Sequence, residues 1–592
     1  TADPDTYDFS GHVQGVVGNL DNTELRGVIN IPIVEGLLAA RISGYTADRE
    51  GYTQNVFVDE DTRNIDREGF RGKLLWTPTE TFEVKLTAEN SKQFTNMDYA
   101  VVEYGEIYDP YADILPPISL GKAQQDHGFT QEEIERYALN FRWDLPGHTL
   151  TTVSAYERAD LSLRQDQDRT SLSTELGPSA LVLVDNTSTT KSMVHEVQLS
   201  SDNDSALSYV VGGYYQTEEL NSATTLFFNS FTLPRPPSQR DVDSKAVFGN
   251  VTYEFSDQWS ASLGTRYTED EKDGENFSFS GVTSFDEWTY SAKLMYHLDA
   301  DKMIYIAHDK GFKSGGVNNA WSRCGTGGAC VPPELATWDP ETSYNYEIGI
   351  KSEWLDNRLR LNSTLFYQTY EDFQARIELL AEAQTVTINA AEVESMGLET
   401  EFVAVISDNF TLSGALSYVQ SEYEDFENAP CALPDSPGCV NGAQDLSGRT
   451  LDHAPELTYN VTGEYRDFLS SSNGVEWFVR SDVVFKDEQN LFDRLPVETE
   501  IDSYYLVNAR LGLEVAGEWK LALWGNNIFD EDYLAKLEVI KQPNTKLQLL
   551  QQMLAKAIGE FKKTNKVKGI DFTKKMNLLV EKYNERDEKD VL

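Results

Sequence analysis

Seven histidines carry the side chains best suited to proton transfer or metal ligation near neutral pH. They stand at His12, His127, His148, His195, His297, His308 and His453, dispersed along a 592-residue chain. His195-Glu196 lacks a second histidine four residues after the first, so it is not the metalloprotease helix signature, and it falls in a strand pattern. Lys313-Ser314-Gly315-Gly316 has the Lys-Ser of a phosphate loop without the glycine spacing before it. Its glycines read as a bend at a strand end. No twelve-residue calcium loop occurs in the acidic stretches. The residues therefore assign no catalytic group, no metal site and no cofactor.

Binding chemistry is better represented. Tyr99, Tyr104, Tyr108 and Tyr111 fall among acidic residues in one stretch, Phe227 and Phe228 in a second, Trp321 and Trp338 in a third. Aromatic side chains in long loops grip planar or aromatic ligands such as a metal chelate. The plainer alternative is that they pack the loops together or meet the outer edge of a lipid layer. Four cysteines form two close pairs, Cys324 with Cys330 and Cys431 with Cys439, each in a Gly/Pro-rich stretch. Two local disulfides in an oxidising compartment fit this spacing. Free thiols are the alternative, and a four-cysteine zinc site would need both loops to meet.

These candidates hang on a two-residue rhythm that runs from about residue 7 to about residue 529. Val247, Val251, Tyr253 and Phe255 fall on one face, and Phe248, Asn250, Thr252 and Glu254 on the other. After Ser256-Asp257-Gln258 the alternation resumes with Trp259, Ala261 and Leu263. Counted this way the chain holds about 21 strands. Their connections alternate in length. Short turns such as Pro78-Thr79-Glu80 and Leu355-Asp356-Asn357 alternate with long loops such as 94–133, 166–191 and 424–453. Short turns on one rim and long loops on the other predict an all-β fold, a large antiparallel transmembrane β-barrel. Trp76, Trp143, Trp259, Trp354, Trp477 and Trp519, six of the ten tryptophans, lie within a few residues of a short turn. An interfacial girdle requires that placement. No apolar run is long enough for a membrane-spanning helix. Mean hydropathy of −0.45 suits a barrel with a polar lumen and polar loops. A net charge of −47 repels nucleic acid from the main body.

Several strings resemble TonB-dependent outer-membrane receptors. The most specific is Lys310-Gly311-Phe312-Lys313-Ser314-Gly315-Gly316-Val317-Asn318. Others are Asp48-Arg49-Glu50-Gly51-Tyr52, Tyr346-Glu347-Ile348-Gly349, Asn389-Ala390-Ala391 with Gly397-Leu398-Glu399, and Asn526-Asn527-Ile528-Phe529-Asp530. Their order over residues 1–535 carries the resemblance. It implies a 22-stranded barrel in the bacterial outer membrane that takes up a scarce ligand, commonly a ferric siderophore, with no enzymatic step. The implied partners are outer-membrane lipid, the TonB complex and a ferric chelate. The chain opens at Thr1-Ala2-Asp3-Pro4, at what looks like the first barrel strand, so a mature or internal fragment without plug or TonB-contacting peptide is expected.

From about Lys536 the rhythm changes. Leu547, Leu550, Leu554, Ile558 and Phe561 recur at helical spacing, and residues 536–592 carry 13 basic against 8 acidic side chains. This stretch is expected to be a short α-helical tail standing where the last strand is due. It resembles the C-terminal helical part of type I restriction enzyme motor subunits, which makes the chain look chimeric. Two other functions compete with the receptor: a passive porin-like or adhesin barrel, and a restriction-enzyme fragment resting on the tail alone.

Overall fold

The computed structural model describes residues 2–97, 122–123, 127–166, 181–202, 205–275, 280–318, 337–379, 384–431, 438–469, 474–490, 500–515 and 518–531. The alternating stretches form one antiparallel sheet. Its first long strands are β1 (Ser10–Val17), β2 (Thr23–Val34), β3 (Leu38–Arg49), β4 (Ile65–Thr79), β5 (Phe82–Met97), β6 (Gly128–Leu145) and β7 (His148–Asp166). Next come β8 (Leu181–Ser201), β9 (Leu207–Phe228), β10 (Ser238–Glu254), β11 (Trp259–Glu275), β12 (Ser280–Asp299), β13 (Lys302–Lys313) and β14 (Glu341–Trp354). The last are β15 (Leu359–Leu379), β16 (Gln384–Ser407), β17 (Phe410–Asp425), β18 (Leu457–Phe468), β19 (Val475–Lys486), β20 (Tyr504–Val515) and β21 (Trp519–Gly525). Each pairs antiparallel with the strand before and after it. The sheet has a 22nd member, the three-residue Thr232–Pro234, paired only with β9. Setting it aside leaves the 21 strands that the alternation predicts.

The register fixes which face each side chain takes. Val251 lies opposite Leu263 and Val247 opposite Tyr267 on the outer face, where Val247 is 60% and Leu263 63% exposed. The inner face of the same hairpin carries Asn250, Thr252 and Ser262, and the Ser262 hydroxyl lies 3.0 Å from Thr252 Oγ1 and 3.1 Å from Asn250 Oδ1. A continuous apolar outer face with a hydrogen-bonded inner face suits lipid outside and water within. The six turn-rim tryptophans all fall on the outer face by register, and five of them are 42–75% exposed. A second aromatic row marks the other edge of the apolar belt. There Tyr215, Tyr267 and Tyr367 donate their hydroxyls to Asp243, Asp286 and Glu394 at 2.9, 3.2 and 2.9 Å. Amphipathic rings with their polar tips turned away from the belt are what a membrane interface selects. Among the described residues no helix is long and apolar enough to cross a membrane.

Several strands outrun the roughly 10 residues that a membrane crossing needs. β9 has 22 and β16 has 24. Beyond the belt they form a wall on which residues 424–431 and 438–453 fold. Phe426 and Leu446 from this loop bury themselves against Ala375, Val386, Val393 and Tyr423. Cys431 and Cys439 of the same loop form a disulfide. Cys324 and Cys330 lie outside the described residues.

Candidate functional site

The inner face is where a barrel can act on a solute. Near the short-turn rim it holds the N-terminal segment. Asp3 accepts hydrogen bonds from Lys73 and Lys85, each at 2.8 Å. Asn30 fixes the next turn by donating to the carbonyls of Asp5 and Asp8 and accepting from Asp5 N. A cavity of about 270 Å³ opens beside Ala2, lined among others by His12, Arg41, Arg71 and Lys73. Arg71 is held flat by a bidentate pair with Glu89 at 2.8–3.0 Å. In a chain of net charge −47 this is a local concentration of cations.

Burial pushes the Asp3 carboxyl up, but the hydrogen bonds and charges of Lys73 and Lys85 outweigh it and hold it below the usual carboxylate range. The sign follows directly. A depressed carboxyl anchors the segment above its ordinary titration range, and the anchor is lost as pH falls through the lowered value. Amide exchange over residues 3–9 is therefore expected to quicken only in strong acid. Asp3→Asn should show the quickened rate at neutral pH as well. An unchanged rate in the variant would mean the segment is held by Asn30 alone.

A second inner cluster lies across β18–β21. Phe478 is 2% exposed. Three cations cover its ring, Lys520 at 4.8 Å, Arg466 at 5.0 Å and Arg510 at 6.0 Å. Carboxylates knit the cations together: Arg466 reaches Glu464, Glu476 and Glu514, and Arg480 pairs with Asp482 at 2.8 Å. The ring fits because Gly512 stands opposite it. A Cβ there would lie 2.4 Å from the Phe478 ring.

The loop rim is organised by the Lys313–Asn318 string. Gln374 Nε2 donates to the carbonyls of Lys313, Ser314 and Asp339, and Gln374 N donates to Glu341 Oε2 at 2.7 Å. Asn318 exchanges two hydrogen bonds with the Thr387 backbone. Asn389 does the same with Asp339 and also donates to the Asp372 carbonyl. Lys272 donates to the Gly315 carbonyl. A Cβ on Gly316 would sit 2.4 Å from the Trp338 ring, so the glycines are required by close approach. The string thus ties the exits of β13, β15 and β16 together. Gly316→Val is expected to cost about 1–3 kcal/mol by overpacking. Limited proteolysis should then cut faster between β13 and β14, with the membrane-embedded core still protected.

The candidate aromatics separate. Tyr99, Tyr104, Tyr108, Tyr111 and Trp321 lie outside the described residues. Trp338 is a brace, its ring against Gly316. Phe227 and Phe228 are consecutive on β9 and so take opposite faces. Phe227 lies over Arg164, which also covers Phe129 and pairs with Asp185 at 2.7 Å. Phe228 stacks on Phe231 with centroids 4.5 Å apart. Sequence reading missed Gln374 and the Phe478 cluster; their only signal was polar or aromatic residues on the inward parity of a strand. Among the described residues no group of three His, Cys, Asp or Glu side chains could hold a metal ion.

A polar, charged inner face, an apolar outer face with two aromatic edges, and sequential antiparallel pairing define a large transmembrane β-barrel of the bacterial outer membrane. Within that class the chain belongs to the TonB-dependent receptor-like β-barrel family, whose model matches residues 76–528. The family is one of transport receptors. A second family model, the C-terminal region of type I restriction enzyme HindI endonuclease subunit-like proteins, matches residues 520–592. The chain is 24% identical over 328 residues to a probable TonB-dependent siderophore receptor, PiuA, of Acinetobacter baumannii, covering 54% of this chain and 41% of the relative. It is 26% identical over 213 residues to the ferric-pyoverdine M114 receptor PbuA of a Pseudomonas species, covering 36% of this chain and 23% of the relative. It thus spans less than half the length of either. Among solved structures it resembles the siderophore receptor PiuA from Acinetobacter baumannii, with TM-score 0.72 and 17% identity over 91% of this chain and 80% of that one. The ferric yersiniabactin uptake receptor FyuA from Yersinia pestis gives TM-score 0.71 and 17% identity over 90% and 76%. At such identities the likeness is one of fold.

Proposed function

We propose that the chain is the barrel of an outer-membrane receptor that takes up a ferric siderophore, with energy delivered through the TonB complex. The observation that carries this is the family match along 76–528 on a barrel whose inner face is lined with charge. The names of its relatives, receptors for siderophores and ferric pyoverdine, support the ligand class. Ligand capture is assigned to the long-loop rim, through Tyr99, Tyr104, Tyr108, Tyr111 and Trp321. The barrel wall binds and guides, and makes or breaks no covalent bond. The barrel itself has no nucleic-acid partner, in keeping with its net negative charge.

Residues 536–592 are assigned to a helical appendage, with the barrel ending near residue 535. The spacing of Leu547, Leu550, Leu554, Ile558 and Phe561 supports this, as does the second family match.

Outer membranes carrying the chain should retain radiolabelled ferric chelate saturably, above membranes without it. Leakage of small solutes with no retained chelate would overturn the receptor in favour of a passive pore.

A further inference from the structure

On the inner face of β1–β4 two neighbouring registers bring cations together beside the N-terminal segment. In one, Arg41 stands directly opposite Lys73. In the next, His12 lies opposite Val28, Val28 opposite Ser43, and Ser43 opposite Arg71. Like charges facing each other across a strand pair cost stability, and a negative group beside them relieves it. Two of these cations find that group within the chain. Arg71 is answered by Glu89 and Lys73 by Asp3, each at 2.8 Å. Arg41 is not: among the described residues it has no carboxylate partner. Asp3 shows what this wall accepts, since its carboxylate sits between Lys73 and Lys85 at 2.8 Å from each. Beside it, Arg41, His12 and Ser43 line about 270 Å³ of open space. That is room for a second oxyanion with its waters.

The facing wall favours the same solute. β15 lies half-way round the cylinder from β4. There the inner face carries Glu347, Glu399 and Glu401. Tyr305 and Asn345 donate to Glu347, and Asn362 donates to Glu401. Among the described residues no cation pairs with any of the three. Cations on one wall and carboxylates on the wall across from it set a field over the lumen, which low-dielectric walls focus. An anion is drawn toward β3–β5, and a cation away from it. We propose that Arg41, His12 and Ser43 form an anion site on the lumen wall near the short-turn rim, taking a carboxylate or phosphate group of a small solute. The guanidinium supplies the charge and a two-pronged donor, and the imidazole and hydroxyl supply further hydrogen bonds. The origin of the solute rests on the uptake proposed above: a negatively charged chelate leaves the lumen along the β3–β5 wall and pauses here. The binding itself needs only the barrel.

Equilibrium dialysis of the full chain in detergent micelles against radiolabelled citrate, and separately against radiolabelled phosphate, tests this. Saturable binding of at least one is expected, weakening as salt is added, and the tighter of the two names the group. Arg41→Gln should weaken it about tenfold or more, and Arg41→Lys should recover part of the loss by keeping the charge without the fork. Glu399→Gln, on the facing wall, should leave it within about twofold. Ser43→Asp places a carboxylate in the cavity and should abolish binding. Affinity unchanged in Arg41→Gln, or equally reduced in Glu399→Gln, would overturn the site. If Arg41→Gln does not fold, Ser43→Asp decides, and retained binding there overturns the site as well. Citrate or phosphate binding without saturable retention of ferric chelate by membranes would sink the receptor and leave this site standing. Retention of chelate with neither anion bound would sink the site alone.

Discussion

Leu263→Arg is expected to destabilise the barrel by about 2–4 kcal/mol, the cost of a cation at the middle of a lipid-facing strand. Leu263 lies midway along β11 between Trp259 at one aromatic edge and Tyr267 at the other, and it is 63% exposed. In water an exposed leucine is a cheap place for an arginine, so the size of the loss reports the solvent. Thr252→Arg is the control. Thr252 lies opposite Ser262 and Ser208 on the inner face. There the guanidinium stays hydrated, and the change should remain within about 1 kcal/mol. Urea unfolding of both variants from lipid vesicles, with unchanged slopes, gives the comparison. Equal midpoints would mean that the outer face does not meet lipid.

Phe478→Ala should cost about 3–5 kcal/mol, the range for truncating a buried aromatic. The ring is held between Gly512 and three cations, so its loss opens a void that Gly512 has no side chain to fill. It also leaves Arg466 and Lys520 without the ring face that they share. Phe478→Leu restores most of the volume but no quadrupole, and should recover more than half of the loss. The same unfolding series measures both. A loss below about 1 kcal/mol for the alanine variant would mean that this part of the wall repacks freely.

The outer face was legible because lipid imposes one rule on every strand. Val247, Val251 and Leu263 follow the rule residue by residue, and the turn-rim tryptophans repeat it. The inner clusters follow no such rule. Gln374 meets Lys313 and Ser314 across 61 and 60 residues, and Asn318 meets Thr387 across 69. Such contacts depend on register, which periodicity alone does not supply. The Lys313–Asn318 string was conspicuous as a motif, yet its work is to hold three strand exits together. The paired phenylalanines separate for a simpler reason: consecutive strand residues face opposite ways, so adjacency in sequence does not place two rings together.

Because each strand touches only its neighbours along the chain, this architecture can be edited in units of one hairpin. Removing or duplicating two consecutive strands at their rim connections brings together neighbours that already run in compatible directions. An insertion of a single strand has no such freedom. Length variation among such proteins should therefore come in steps of two crossings, with loops free to vary by any amount.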